Sequence, residues 1–102
     1  MQAKTQVKIP ARIRIWKSDK NYIAVTNDEA QKELLKQYVG RHIELEINGI
    51  TIHAKLVALR QHGLEYIAVF LPRRLRPTWE KIRQKAEEHN AIITITEGGE
   101  TP

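Results

Sequence analysis

The sequence predicts an α+β domain, a tandem ββαβ duplication whose two copies close a small pseudo-twofold β-barrel with two helices. Three observations lead there. Ile13-Arg14-Ile15-Trp16 is followed by Tyr22-Ile23-Ala24-Val25, and Val57-Ala58-Leu59-Arg60 is followed at the same distance by Tyr66-Ile67-Ala68-Val69. Each copy then runs through a helical stretch into a closing β-branched segment, Ile43-Glu44-Leu45-Glu46-Ile47 or Ile92-Ile93-Thr94-Ile95-Thr96. Units this short cannot bury enough surface to stand alone, so the two must share a core. Residues 7–97 form the expected domain, with repeats at 7–48 and 50–97; residues 1–6 and 98–102 are expected to be flexible ends.

The first strand is set by period-two alternation. Val7, Ile9, Ala11, Ile13 and Ile15 share one face, while Lys8, Arg12, Arg14 and Trp16 share the other. Pro10 has no N–H to donate and places this part of the strand at an edge or a bend. Lys17 to Asn21 forms a hairpin loop and Tyr22 to Thr26 the return strand. Thr26-Asn27-Asp28-Glu29 has the form of a capping box, with Val25 stapling onto Ala30, so Ala30, Leu34 and Tyr38 become the inward stripe of the first helix, with Leu35 beside it. Gly40 stops that helix. Arg41 to Ile47 alternates as a half-buried strand, and Asn48-Gly49 is a strong type I′ turn signal.

In the second half Ile50, Ile52, Ala54 and Leu56 run in phase, then the apolar positions shift to Val57 and Leu59. A bulge or bend is therefore expected near Leu56. Gln61-His62-Gly63 forms the second hairpin loop, and the apolar run Leu64 to Leu71 predicts a strand buried on both faces. Pro77 suits the first turn of a second helix ending at Asn90, whose inward stripe is Trp79, Ile82 and Ala86; a last strand covers residues 91–96.

Composition excludes several functional classes. Without cysteine there are no disulfides, thiolate metal sites or thiol nucleophiles. No stretch approaches the roughly 18 apolar residues of a membrane span, and the N-terminal residues lack a signal-peptide core. The expectation is a cytoplasmic protein with no membrane partner. The net charge of +5 is concentrated: residues 1–20 and residues 72–85 each sum to +5, and the remainder is negative. Two basic segments on a near-neutral body form an electrostatic footprint of the kind that engages nucleic acid. Basic residues covering solvent faces would give the same composition.

The duplicated strand–strand–helix–strand order over residues 7–96, with its repeated Tyr-Ile-Ala-Val, resembles the cradle-loop barrels. That group includes RIFT barrels and the swapped-hairpin DNA-binding domains of the AbrB type. The resemblance implies DNA binding through basic strand-and-loop surfaces on one side of the barrel. It departs from the AbrB type, which assembles its barrel from two separate chains.

Two surfaces are candidates for a nucleic-acid site. One is the outward face of the first strand, Lys8, Arg12, Arg14 and Trp16, continued by Lys17 and Lys20, with side chains recurring about every 7 Å. Guanidinium groups pair with phosphate or guanine, and an exposed indole stacks on a base. Trp16 packed beneath a helix or at a subunit contact is the alternative. On the alignment of the two copies Arg60 occupies the place of Trp16. The other surface is Arg73, Arg74 and Arg76, bracketed by Pro72 and Pro77 ahead of the second helix. Trp79 is read as core. His42, His53, His62 and His89 lack metal-ligand spacing, and no phosphate-binding or nucleophile motif is present, so no metal, cofactor or enzymatic activity is expected. The predicted function is nucleic-acid binding, with duplex DNA favoured, as a regulator or architectural protein. The rivals are an RNA or ribonucleoprotein component and an assembly module, with a homo-oligomer compatible with any of these.

Overall fold

A computed structural model describes residues 5–26 and 28–97. The chain runs β1 (Thr5–Ser18), β2 (Asn21–Thr26), α1 (Glu29–Leu35), β3 (His42–Ile47), β4 (Ile50–Gln61), β5 (Leu64–Phe70), α2 (Arg76–Lys85) and β6 (His89–Glu97). Short 3-10 turns at Lys36–Tyr38 and Arg73–Leu75 follow α1 and precede α2. It is an α+β domain with six antiparallel strands and two helices. The strands lie in the order β1-β2-β5-β4-β3-β6, and β6 pairs back onto β1 to close the sheet into a barrel.

The two long strands each serve two partners. β1 pairs with β6 from Thr5 to Ile13 and with β2 from Arg14 to Ser18. β4 pairs with β3 up to Lys55 and with β5 from Leu56 onward. The lower half of β1 is thus a local edge, which is why Pro10 is tolerated opposite Ile92. The Arg12 amide there donates instead to Gln31 Oε1 at 3.1 Å. The open side of β4 is closed by main chain: Leu56 N–H donates to Arg41 O, and Gly40 N–H to Leu56 O.

One apolar cluster fills the barrel. Ile9, Ala11, Ile13 and Ile15 of β1 meet Leu45, Ile47, Ile52, Leu56, Ile93 and Ile95, with Leu35, Tyr38, Trp79 and Ile82 supplied from the helical segments. A second, smaller cluster lies on the outer face of the β1-β2-β5-β4 half, where Ile23, Val25 and Ala68 are covered by Trp16, Val57 and Leu59. No bulge is needed at Leu56. The interior phase of β4 continues through it, while Val57 and Leu59 serve the outer cluster.

The two hairpins repeat each other's register. Counting from the turns, Ser18 opposite Asn21 matches Gln61 opposite Leu64, and Trp16 opposite Ile23 matches Leu59 opposite Tyr66. Asp19 and His62 open the two turns with φ of 55° and 52°. Leu59 therefore takes the place of Trp16, and Arg60 the place of Lys17, correcting the sequence alignment by one residue. A one-residue slip reverses faces in a strand. Accordingly Ile23 and Val25 of the first Tyr-Ile-Ala-Val lie on the outer cluster, whereas Ile67 and Val69 of the second lie in the barrel.

Both helices depart from expectation at their ends. The N-cap of α1 is Asp28, whose Oδ1 accepts from Gln31 N–H at 3.0 Å. Thr26 ends β2 instead, with its hydroxyl donating to Gln31 Oε1. Leu35 and Tyr38 are buried as expected, but with the cap moved by two residues Ala30 and Leu34 are exposed. α2 stops at Lys85 because Ala86 is extended (φ −164°, ψ 161°), freeing His89 and Asn90 to pair with Ile13 and Arg12. Ala86 is exposed rather than on the inward stripe.

Trp79 is fully buried and its indole N–H donates to Pro72 O at 2.9 Å, so packing and the connection before α2 depend on one side chain. Trp79→Ala should cost about 3–5 kcal/mol. Trp79→Phe, which leaves the Pro72 carbonyl without its donor, should cost about 1–3 kcal/mol. Urea denaturation checks both: the midpoint should fall in that order with the slope unchanged.

Candidate nucleic-acid interface

The two basic segments, distant in sequence, meet at the tip of the β1–β2 hairpin. Asp19-Lys20 turns tightly between Ser18 and Asn21. The connection from β5 to α2 is held against that tip by two bonds and to α2 by a third. Leu71 N–H donates to Tyr22 O at 2.9 Å, Arg73 Nε donates to Asn21 Oδ1 at 3.1 Å, and Trp79 fixes Pro72 from below. Lys17, Lys20 and Arg76 then line one open recess with Asp19, Tyr22, Pro77 and Glu80. Arg74 is exposed and makes no hydrogen bond or ion pair among the described residues. The cluster thus joins Lys17, Lys20, Arg73, Arg74 and Arg76 around the first turn of α2. The Lys17 ammonium lies 6.0 Å from the centre of the Tyr22 ring.

Glu80 is the main acid inside this group, and it is fully engaged. It accepts from the Tyr22 hydroxyl, from Arg83 Nη1 at 3.0 Å and from Gln84 Nε2 at 2.9 Å. The Tyr22 hydrogen bond, helped by Gln84 and Arg83, holds the Glu80 carboxyl below its ordinary value. The same bond to a carboxylate, with burial, pushes the Tyr22 phenol up.

The remaining candidates are not part of one strip. β1 changes partner between Ile13 and Arg14, which divides its outward face. Lys8 lies opposite Thr94, in a row continuing to Glu44 and His53, which are 3.3 Å apart. Arg12 and Arg14 share Glu88 at 3.6 and 3.4 Å, so part of their charge is already balanced. Lys17 belongs to the inward phase with Ile15 and points to the α2 side rather than alongside Trp16. Arg60 is exposed on the other hairpin, opposite Glu65.

Trp16 is neither beneath a helix nor fully exposed. It is half-buried on the outer sheet face, edge-on to Tyr66 with centroids 4.9 Å apart and planes at 73°. Phe70, 47% exposed, stands on the same face, and Arg83 lines a recess with Arg14 and Trp16. Asn21, Tyr66, Phe70 and Arg83 do not stand out as site residues from sequence. The alternation Leu64, Tyr66, Ala68, Phe70 carries the signal for the aromatic pair, but it is hidden in a run apolar on both phases. Among the described residues no three His, Asp or Glu side chains converge as metal ligands, and no helix is long and apolar enough to cross a membrane.

Compared with known proteins, the chain matches no protein-family model, no curated protein and no solved structure.

The Tyr22–Glu80 bond has opposite consequences at the two ends of the pH scale. Lowering of Glu80 gives stability that is present above its ordinary 4.5 and lost as pH falls through the folded value. Raising of Tyr22 gives stability that is present below its ordinary 10.0 and lost as pH rises through the folded value. Tyr22→Phe should therefore flatten the alkaline limb and make the acid limb shallower. Chemical denaturation repeated across pH checks this.

Proposed function

We propose that this protein binds nucleic acid, with duplex DNA as the leading partner, in a regulatory or architectural role. The observation that supports this most directly is the meeting of two basic segments at one corner, Arg73 bonded to Asn21 and Arg76 sharing a recess with Lys17 and Lys20. Five cations on two stiff elements offer phosphates a preorganised site, and phosphate contacts supply most of the affinity of such complexes. No catalytic step is assigned to these residues, which lack a nucleophile–base pair.

We further propose that the architecture arose by duplication and is a pseudo-twofold barrel. Support comes from the equivalent ladders. β1 pairs with β2 and β6, β4 pairs with β5 and β3, and the hairpin registers correspond pair for pair.

Fluorescence anisotropy with labelled duplex DNA over about 50–200 mM salt tests the function, since counterion release is steep in that range. Binding should weaken with salt, and Arg73→Ala/Arg74→Ala should reduce the log–log slope by about two, one for each arginine that no longer neutralises a phosphate. Lys17→Ala/Lys20→Ala should act similarly. Arg12→Ala/Arg14→Ala should cost less, because Glu88 already balances those charges. Unchanged affinity and slope in the first two variants would remove the hairpin corner from the site.

A further inference from the structure

An antiparallel sheet with one face in water carries polar residues on that face. The β1-β6-β3-β4 half of the barrel obeys this rule. One outward row across it is Lys8, Thr94, Glu44 and His53, and its apolar outward positions are Pro10 and Ile92. The β1-β2-β5-β4 half does the opposite. Trp16, Val57 and Leu59 lie half-buried against Ile23, Val25 and Ala68, and Tyr66 meets the indole edge-on. Because Ile23, Val25 and Ala68 are sealed beneath, this face is a closed apolar surface rather than a groove. Phe70 and Leu64, 47% and 57% exposed, extend it along the same side of β5. The helical segments send Leu35, Tyr38, Trp79 and Ile82 into the barrel instead, so none of the described elements covers the outer cluster.

Size and charge say what fits it. Four strand segments about 4.8 Å apart, each about six residues long, give a face of roughly 20 by 20 Å. Two such faces in contact cover about 800 Å² in plan and more as accessible surface, which brings the pair to the low end of specific interfaces, about 1,200 Å². Charge is confined to the margin. Arg14 is bonded to Glu88, Lys32 reaches over the Tyr66 ring but is bonded to Glu29, and Lys55 is the next outward residue along β4. No acidic residue holds an outward position within the face. A surface without charge at its centre meets a copy of itself without repulsion, whereas a nucleic-acid backbone finds no cation there. Aromatic residues with few charges are also the composition of interface cores.

We propose that the outer face of the β1-β2-β5-β4 half is a docking surface for a second copy of this chain. The same patch on both copies packs face to face, the arrangement of a twofold dimer. Its modest area makes the dimer reversible, with monomer and dimer exchanging as concentration changes. This inference does not depend on nucleic-acid binding; where both hold, one dimer carries two basic corners.

Sedimentation equilibrium of the full chain without nucleic acid, over roughly 1–500 μM, is the test, since interfaces of this size reach micromolar affinity. The average mass should rise from monomer to dimer and level there. Phe70→Lys and Leu64→Lys, both at exposed positions, should each weaken association about tenfold. Ile92→Lys is the control, at an apolar position 41% exposed on the other half, and should leave association unchanged. Acrylamide quenching of tryptophan fluorescence reads the face itself, because Trp79 is sealed in the core. Quenching should fall as protein concentration rises, and Phe70→Lys should remove that fall. A monomer at every concentration overturns the proposal, as does a mass that climbs past the dimer without levelling. Association that Phe70→Lys and Leu64→Lys leave unchanged, or that Ile92→Lys weakens equally, also overturns it. So does a monomer whose Trp16 is shielded only when duplex DNA is added, which assigns the face to nucleic acid. Failure of the dimer leaves the basic corner standing, and failure of the corner in the salt titration leaves the dimer standing.

Discussion

The exchange of partners midway along β1 and β4 is the constraint from which the rest of the molecule follows. The six-stranded sheet closes because each long strand leaves one neighbour for another, after Ile13 and after Lys55. Interior side chains keep their phase across the exchange, so the core runs unbroken from Ile9 to Ile15. The cost is an unpaired side on each strand. Pro10 has no donor to waste there, Gln31 accepts from Arg12, and the main chain at Gly40 and Arg41 pairs with Leu56. Once these demands are met, α1 has little freedom. Its cap at Asp28 and the reach of Gln31 to β1 set its rotation, which buries Leu35 and Tyr38 and leaves Leu34 outside.

Closure also decides where the positive charge collects. Above the exchange, the inner face of the β1–β2 hairpin offers Ile15, Tyr22 and Ala24 to whatever covers it, and Trp79 and Ile82 of α2 join the same cluster. The start of α2 must therefore lie beside the hairpin tip, and the arginines just before it arrive there with it. Burial of Trp79 and the Pro72 bond hold that connection in place, so the cationic corner is a by-product of core packing rather than of any attraction between cations. The corner tolerates its own repulsion because Glu80 sits within it, its charge spread over three donors.

Element order, strand alternation and both basic segments are legible in the sequence, because period-two burial and turn chemistry are local. Ile9 to Ile15, the Asn48-Gly49 turn and the core position of Trp79 need no tertiary information. What is not legible depends on contacts between distant residues. Thr26 and Asp28 are both competent caps, and the choice falls to Asp28 because β5 claims Thr26 for its ladder opposite Ile67. Residues 86–90 have helical propensity, yet β1 draws His89 and Asn90 into a strand. The basic strip along β1 is sound as a set of outward residues, but a change of sheet partner leaves no mark on alternation, so its division among three surroundings is invisible in the sequence.

The one-residue offset between the tetrapeptides separates what the two hairpins share from what they do not. Aligned by ladder register, interior positions of the two long strands match closely: Val7 with Ile50, Ile9 with Ile52, Ala11 with Ala54 and Ile13 with Leu56. Outward positions do not: Trp16 stands against Leu59, Arg14 against Val57, and Asn21 against Leu64. The core demands the same volumes on both sides of the barrel, whereas the surface is free to differ. It differs in one direction, with the indole, the guanidinium and the bonded amide all on the first hairpin. The second hairpin contributes Arg60 opposite Glu65, a position whose charge is matched across the strand. The two hairpins thus share a register while their surfaces differ, and the first hairpin together with α2 forms the one chemically distinct corner among the described residues.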